Sequence, residues 1–479
     1  MQYSVVARSS ITGSVFGDRI DAEFYLPQYL ERDALLEKTA HAKLRALVSK
    51  IDVGHVGPMT AEYAPSGVWL IQTQNVREFF LDETKKIAVN EDFHRRRLKS
   101  HVIHNDILIA RSGSFGSAAV YLGDTAVNCS DIIIIRAIET MVDPLYLVAF
   151  LNSAFGREQL CRFASGGLQG HVNLTILENL KIALFPLLQN LVARAVAAGY
   201  RDLQKAASLY EAAQADLMAE LGVSGWNPEH RLSFIARHAE ARRAGRLDAE
   251  YFQPKYSRLI GAITRYPGGC ATLGSLFSIH KCVEVGSAAY REEGVPFVRV
   301  SNLSPFGITE EKYITPELYE KLRHHQPRQG EILLSKDATP GIACYLCEPP
   351  RTMLPAGGIL RLAAKKDVPR NALRGEVAAL VMNSPIVREQ IQRDVGGSVI
   401  PHWRPDQVAA TLLPVLADAA QNALQKKLME SSALRERAKT LLESAKRAIE
   451  TAVTRGEADA AGFLAAELRR LSVSDTTRE

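Results

Sequence analysis

Two pairs of carboxylates, Asp21 with Glu23 and Asp248 with Glu250, have the residue types and spacing of acid–base or metal-binding chemistry. Each pair sits in the same phrase. Arg19 to Tyr29 reads R-I-D-A-E-F-Y-L-P-Q-Y, and Arg246 to Tyr256, 227 residues later, reads R-L-D-A-E-Y-F-Q-P-K-Y. A phrase written twice, with Arg, Asp, Ala, Glu, Pro and Tyr in register, favours a symmetric structural role. The carboxylates are therefore expected to cap a turn and to tether each lead segment to a helical spine. The cysteines are Cys129, Cys161, Cys270, Cys282, Cys344 and Cys347. Only Cys344 and Cys347 form a C-x-x-C, and a tetrahedral zinc site needs four ligands, so both read as ordinary strand cysteines and no metal is expected. Their sparse spacing offers no disulfide framework and fits a reducing cytoplasm.

Other catalytic signatures are missing. The chain has no G-x-x-x-x-G-K-[ST] loop, no G-x-S-x-G elbow and no H-E-x-x-H helix. The E-x-K patterns at Glu83 to Lys85 and Glu310 to Lys312 follow no suitable acidic strand. There is also no N-P-P-Y or D-P-P-F tetrapeptide of the amino-methyltransferases. The chain is expected to catalyse nothing itself.

Its loops instead carry the residue types that read base edges and hold phosphates: Arg, Lys, Asn, Gln and small polar groups. In the first half these are Gln72, Gln74, Asn75 and Arg77 after one apolar stretch, then Arg111, Ser112 and Ser114 after another. The loop Gly166-Gly167-Leu168-Gln169-Gly170-His171 adds Gly167, Gln169 and His171, where glycine lets backbone approach a phosphate. The run His94-Arg95-Arg96-Arg97-Leu98-Lys99 is the densest basic cluster; it reads as phosphate contacts or as a solvated helix face. The second-half counterparts are Arg299, Ser301, Asn302, Lys336, Asp337, Gly396, Gly397, Ser398, His402, Trp403 and Arg404. Arg323, His324 and His325 stand where the first-half basic run stands. Trp403 reads either as a wedge against DNA or as a packing residue. Asp337 reads either as an acceptor from a cytosine amino group or as a turn residue.

The elements that must position these residues repeat as well. Leu44 to Ile51 resembles Leu273 to His280, and Gly67 to Asn75 parallels Gly294 to Asn302. Asn105 to Tyr121 (N-D-I-L…) parallels Gly330 to Tyr345 (G-E-I-L…). Leu151-Asn152-Ser153 with Arg157-Glu158-Gln159 parallels Met382-Asn383-Ser384 with Arg388-Glu389-Gln390, and Pro186 is paired with Pro414. Val68 to Gln72, Ile107 to Ala110, Ile132 to Ile135, Phe297 to Val300 and Ile332 to Ser335 read as strands, and Leu145 to Phe163 and Leu380 to Val395 as helices. Val192, Val196, Gly199, Leu203, Ala206, Tyr210, Ala213 and Leu217 fall at alternating spacings of four and three. So do Leu424, Leu428, Ser431, Arg435, Ala438, Leu442, Ala445 and Ile449. That is a coiled-coil seam, or the face of a helix packed on its own domain. Gly222, Gly225 and Pro228 end the first long helix, and a further helix is expected after Arg455.

The expected class is α+β: two repeated αβ domains separated by two long antiparallel helices that form a coiled-coil spacer. The expected divisions are a lead segment (1–40), a first domain (41–185), a first long helix (186–224), a second lead (225–268), a second domain (269–413), a second long helix (414–453) and a C-terminal helix or tail (454–479). The 479 residues, 47% hydrophobic and 23% charged with a net charge of +5, suit globular domains. The mild basic bias permits a nucleic-acid partner without demanding one. No apolar stretch is long enough to span a bilayer.

Two copies of a globular unit, each followed by a long heptad helix, resemble the specificity subunits of type I restriction-modification enzymes. The resemblance rests on the ordered recurrence of Asn105 to Leu108 and Gly330 to Leu333, the two Asn-Ser pairs, the two Gly-Gly pairs, Pro186 and Pro414, and it covers nearly the whole chain. It implies that each domain is a target-recognition domain for one half of a bipartite site in double-stranded DNA. The paired helices would set the gap between half-sites: ~35 residues span roughly 50 Å, about 15 base pairs. The resemblance further implies two methyltransferase subunits as partners, with S-adenosylmethionine bound on them and no cofactor on this chain. Motor-nuclease subunits would be possible additions. Three other readings stay open: a recognition subunit of another phage-defence or modification complex, a protein-interaction scaffold, and an enzyme with an unfamiliar site.

Overall fold

The structure is a computed structural model and describes residues 4–6, 11, 21–111, 116–164, 174–309, 312–369, 372–395 and 402–473. The chain divides into two compact units, one of residues 1–204 with 434–479 and the other of 205–433, so the boundary falls inside both long helices.

In the first unit the lead helix Pro27–Glu37 starts with proline at its first position, where a missing N–H costs nothing. Strand His41–Lys43 pairs antiparallel with Lys181–Ala183, closing the domain that lies between them. Within it a four-stranded sheet runs in the order Val48–Val53, Ile132–Ala137, Ile107–Ala110, Ala118–Val120. Both faces of this sheet are covered. Ile107, Ile109, Ile133 and Ile135 pack with the helices Pro144–Asn152 and Ala154–Ala164. Leu108, Ala110, Ile132 and Ile134 pack with Ile71, Val102 and Val127 of a five-stranded sheet. Double coverage explains the unbroken run Ile132 to Ile135, since a strand wetted on one side would alternate.

The second unit repeats this plan. Cys270–Thr272 pairs with Leu412–Pro414, and a four-stranded sheet runs Phe277–Lys281, Ile359–Ala364, Ile332–Ser335, Ala343–Tyr345. Helices Gly375–Asn383 and Pro385–Val395 cover it.

The recurring residues are the ones that close each unit. Asn105 (φ 68°) and Gly330 (φ 84°) take the left-handed turn that asparagine and glycine tolerate best. The acid that follows is paired: Asp106 accepts from Arg136 Nε at 2.7 Å and Nη2 at 2.8 Å, and Glu331 lies 3.7 Å from Arg361 Nε. Asn152 binds both backbone groups of Ala118 and the carbonyl of Val148. Asn383 does the same with Ala343 and Ala379. Gln159 and Gln390 each accept from and donate to the backbone of the closing strand, at Lys181 and Leu412.

Several expectations need correction. Each covering helix is two helices, broken at Ser153 and Ser384, which are extended (ψ 164° and 170°). The serine hydroxyls donate back to Phe150 and Val381 at 2.6 Å. In the second copy Pro385 also biases the preceding residue away from helix. Val300 belongs to a 3-10 turn and not to the strand, which is Val295–Val298. Pro186 opens the long helix Pro186–Glu220, but Pro414 ends a strand and the second long helix is Asp418–Arg455. The register Ala183 with His41 and Pro414 with Cys270 makes Ala183 the counterpart of Pro414. A C-terminal helix, Glu457–Arg470, follows.

In the second copy the carboxylates of the lead phrase hold the phrase and the chain just before it. Asp248 accepts from Arg246 at 2.7 and 2.8 Å, and Glu250 accepts from Tyr256 at 2.6 Å with His230 Nε2 at 3.0 Å. The tether runs to the covering helix, not to the long helices. Arg162 donates to the Phe24 carbonyl and to Asp33, while Arg246 donates to the Asp394 carbonyl and Lys255 pairs with Glu389.

The two long helices lie antiparallel in each unit. In the first, Arg437 pairs with Asp202 at 2.7 Å and Gly199 faces Leu442 and Ala438. In the second, Ser431 donates to the Ala206 carbonyl and Lys205 pairs with Glu430. Val192, Val196, Ala206, Ala213, Leu217, Leu424, Ala438, Ala445 and Ile449 are buried along the seam. The same helices also join the domain cores, through Leu188 to Ala198 in the first unit and Ala213 to Leu221 in the second. The stripe therefore faces both the other long helix and the domain core of its own unit. Among the described residues no helix is long and apolar enough to cross a membrane.

Candidate nucleic-acid interface

Two groups of polar side chains recur in each unit. One gathers where the central strand Ile107–Ala110 or Ile332–Ser335 ends, here termed the turn end. The other lies against the edge strand Val48–Val53 or Phe277–Lys281.

At the first turn end, Thr73–Asn75 forms a 3-10 turn directly after strand Val68–Ile71. Asn75 is buried. Its Oδ1 accepts from the Gln72 amide at 2.9 Å, and its Nδ2 donates to the carbonyls of Asp82 and Lys85. It builds the turn and offers nothing to a base, which corrects the expectation for this residue. Gln74 is exposed, and its Nε2 donates to Gln72 Oε1 at 3.0 Å. Thr73 Oγ1 donates to the Asp131 carbonyl, and Arg111 Nη1 donates to Asp131 Oδ1 at 3.3 Å. The structure thus brings Gln72, Gln74 and Arg111 together. Asp131 (φ 52°) joins them, and sequence reasoning missed it. Its repeat counterpart at 227 residues is Gly358, and an Asp standing in for a Gly is the signal that could have found it. Arg77 is exposed, 3.6 Å from Asp82.

At the second turn end, Asn302 is buried and its Oδ1 accepts from the Arg299 amide, so it too shapes a turn instead of facing a ligand. Val300 of this turn packs close to Gly358, beside Asp337. Lys336 and His402 both pair with Asp337, His402 Nδ1 at 2.9 Å. Burial raises the Asp337 carboxyl, but the hydrogen bonds from Lys336 and His402 outweigh it and hold the group below its usual range. Trp403 donates its backbone amide to the Lys336 carbonyl, and its ring is 1% exposed in the core. It packs, so the wedge reading is set aside. Ser301 and Arg404 are exposed, with Arg404 forked onto Asp406.

The basic run begins in the last turn of helix Glu91–Arg96, which Asn90 caps by accepting from the Phe93 amide at 2.7 Å. His94 is held inward: its Nδ1 lies 2.6 Å from Asn128 Oδ1, and its ring stacks on His101 at 4.1 Å. Arg95, Arg96, Arg97 and Lys99 are exposed. Arg96 pairs with Asp92 and Glu62, Arg95 lies 3.9 Å from Asp92, and Lys99 reaches Asp52 on the edge strand. Lys50 of that strand donates to the Lys99 carbonyl. In the second unit, Arg361 donates to the carbonyls of His324 and Gln326, with Arg323 and His324 exposed. Burial, then the neighbouring His324, lowers the His325 imidazole below its usual value.

Ser112, Ser114, Gly166, Gly167, Gln169, His171, Gly396, Gly397 and Ser398 lie outside the described residues. Cys344 is buried in its strand, its thiol pushed up to about 11 by burial, and Cys347 is exposed. Among the described residues no group of three potential ligands could hold a metal.

These frames define an α+β protein with polar side chains gathered at matching places in its two units. No protein-family model and no curated protein matches the chain. Among solved structures it is similar to S subunits of type I restriction-modification systems. One is the S subunit from M. genitalium, at 14% identity over 86% of this chain and 94% of that one, with a TM-score of 0.39. Another is the HsdS subunit from Thermoanaerobacter tengcongensis, at 15% identity over 91% and 97%, with a TM-score of 0.25. A third comes from work on assembly and conformational transition of the type I R-M system, at 17% identity over 87% and 97%, with a TM-score of 0.28.

Proposed function

We propose that this chain is the DNA-recognition subunit of a type I restriction-modification complex, non-catalytic and cytoplasmic. Each domain reads one half of a bipartite site in double-stranded DNA. The two long helices act as the spacer that sets the gap, and the chain positions two adenine-N6 methyltransferase subunits, with motor-nuclease subunits as further partners. S-adenosylmethionine belongs to the methyltransferases. One observation carries the reading: the same backbone frame recurs at both turn ends, yet one presents Gln72, Gln74 and Arg111 and the other Arg299, Ser301, Lys336 and His402. A scaffold kept constant while its polar side chains change suits two readers of different sequence. Two readers on one spacer gain effective concentration only at a matching half-site separation.

Mapping of methylated adenines in the host genome tests this. The expected result is a bipartite motif with a fixed gap that disappears when the gene is deleted. Binding that is insensitive to both DNA sequence and salt would favour a protein-interaction scaffold instead.

A further inference from the structure

The first turn end presents two side chains whose orientation is fixed before any ligand arrives. Gln74 projects from the 3-10 turn that Asn75 locks from inside with three hydrogen bonds. One N–H of its carboxamide is spent on Gln72 Oε1, leaving one N–H and the carbonyl oxygen. Arg111 leaves the end of the central strand with Nη1 donating to Asp131 at 3.3 Å and Nε enclosed without a partner, so a paired contact would come from its two terminal nitrogens. Asp131 is itself fixed: its amide donates to the His55 carbonyl at 3.1 Å, and the neighbouring Ser130 amide donates to Ile71 at 2.9 Å. Thr73 Oγ1 on the Asp131 carbonyl joins the glutamine turn to the arginine support. A carboxamide with one donor and one acceptor free matches adenine N7 and N6, and a guanidinium edge matches guanine O6 and N7.

We infer that the first domain reads an A·T pair through Gln74, buttressed by Gln72, and a nearby G·C pair through Arg111, buttressed by Asp131. Gln74 and Arg111 are the specificity-determining residues; Gln72 and Asp131 are positioning residues. The inference rests on the DNA-recognition reading above and deepens it by naming bases in one half-site. The second domain carries Ser301 at the place of Gln74. At the place of Arg111 it carries Lys336, held by Asp337, so it presents neither bidentate group there.

The test selects bound duplexes from a random-sequence pool with the full-length chain and sequences them. The wild type is expected to enrich a half-site containing one adenine and one guanine. Gln74→Ala should flatten the preference at the adenine alone, and Arg111→Ala at the guanine alone, each by roughly 5- to 150-fold. Placing 7-deazaadenine at the first position should weaken the wild type and leave Gln74→Ala unaffected. If the wild type selects a sequence but the variants keep its preferences, or relax positions that are neither adenine nor guanine, this inference is overturned while DNA recognition stands. If the wild type selects no sequence at all, the DNA-recognition reading itself fails.

Discussion

Asp106 and Arg136 face each other across two antiparallel strands as a two-pronged ion pair, 2.7 and 2.8 Å, with the carboxylate fully enclosed. Asp106 also accepts from the Ile103 amide at 2.8 Å, so one side chain fixes both the turn at Asn105 and the neighbouring strand. Removing it leaves a guanidinium that is only a third exposed without its partner. Asp106→Ala is expected to destabilise the first unit by about 3 kcal/mol, read as a lowered urea midpoint at unchanged slope. An unchanged midpoint would mean that water replaces the carboxylate.

The Asn152 carboxamide accepts from the buried Ala118 amide and donates to the carbonyl of the same residue. Asn152→Ala and Asn383→Ala each strand a backbone N–H at a sheet edge and take one donor from the carbonyl beside it. A loss of about 2–4 kcal/mol is expected for each, similar in size because the two sites make the same three bonds. Unfolding curves of both single variants check this, and a large asymmetry would contradict the shared role.

Gly199 allows the long helices of the first unit to approach, since a Cβ there would sit 3.2 Å from Leu442. Gly199→Leu is expected to cost about 1–3 kcal/mol by overpacking, despite the better helix propensity of leucine. Thermal denaturation decides the sign.

Asp33 is raised by burial, but hydrogen bonds from Lys181 and Arg162 prevail and hold its carboxyl below the usual value. A depressed folded value means stability that is complete above the unfolded pKa of about 3.9 and is lost as pH falls through the folded one. Urea midpoints at pH 7 and pH 3 should therefore differ less in Asp33→Asn than in the wild type. Equal differences would show that Asp33 plays no part in acid unfolding.

Arg95, Arg97 and Lys99 are exposed along one run. If they hold phosphates, replacing all three with alanine weakens binding to every duplex alike. It also lowers the slope of log affinity against log salt by about one for each phosphate no longer neutralised. An unchanged slope would assign the run to a solvated surface.

The repeat was legible because the recurring residues do things few others can. Asn105 and Gly330 tolerate a left-handed turn, Pro27 and Pro254 start helices, and Gly222 lies in the left-handed region just past the end of one. Such constraints act on residue type, so they survive in both copies. The breaks at Ser153 and Ser384 were not legible, because apolar periodicity runs straight through them. Pro414 misled because a proline suits a strand end as well as a helix start. In the interface, Gln72, Gln74 and Arg111 were legible as polar residues after apolar strands that the fold brings together, whereas Asn75, Asn302 and Trp403, chosen on the same grounds, face inward. Asn75 bonds to the carbonyls of Asp82 and Lys85, Asn302 accepts from the Arg299 amide, and Trp403 packs in the core, and residue type alone does not tell such inward-facing groups from outward ones.

The pairing of His41–Lys43 with Lys181–Ala183, and of Cys270–Thr272 with Leu412–Pro414, brings the chain into each domain and out of it side by side. Everything between those strands is therefore a closed excursion from one point on the backbone. A graft of foreign sequence between 43 and 181 would have to match only two adjoining ends, so the whole excursion can be replaced without redesigning the framework that receives it.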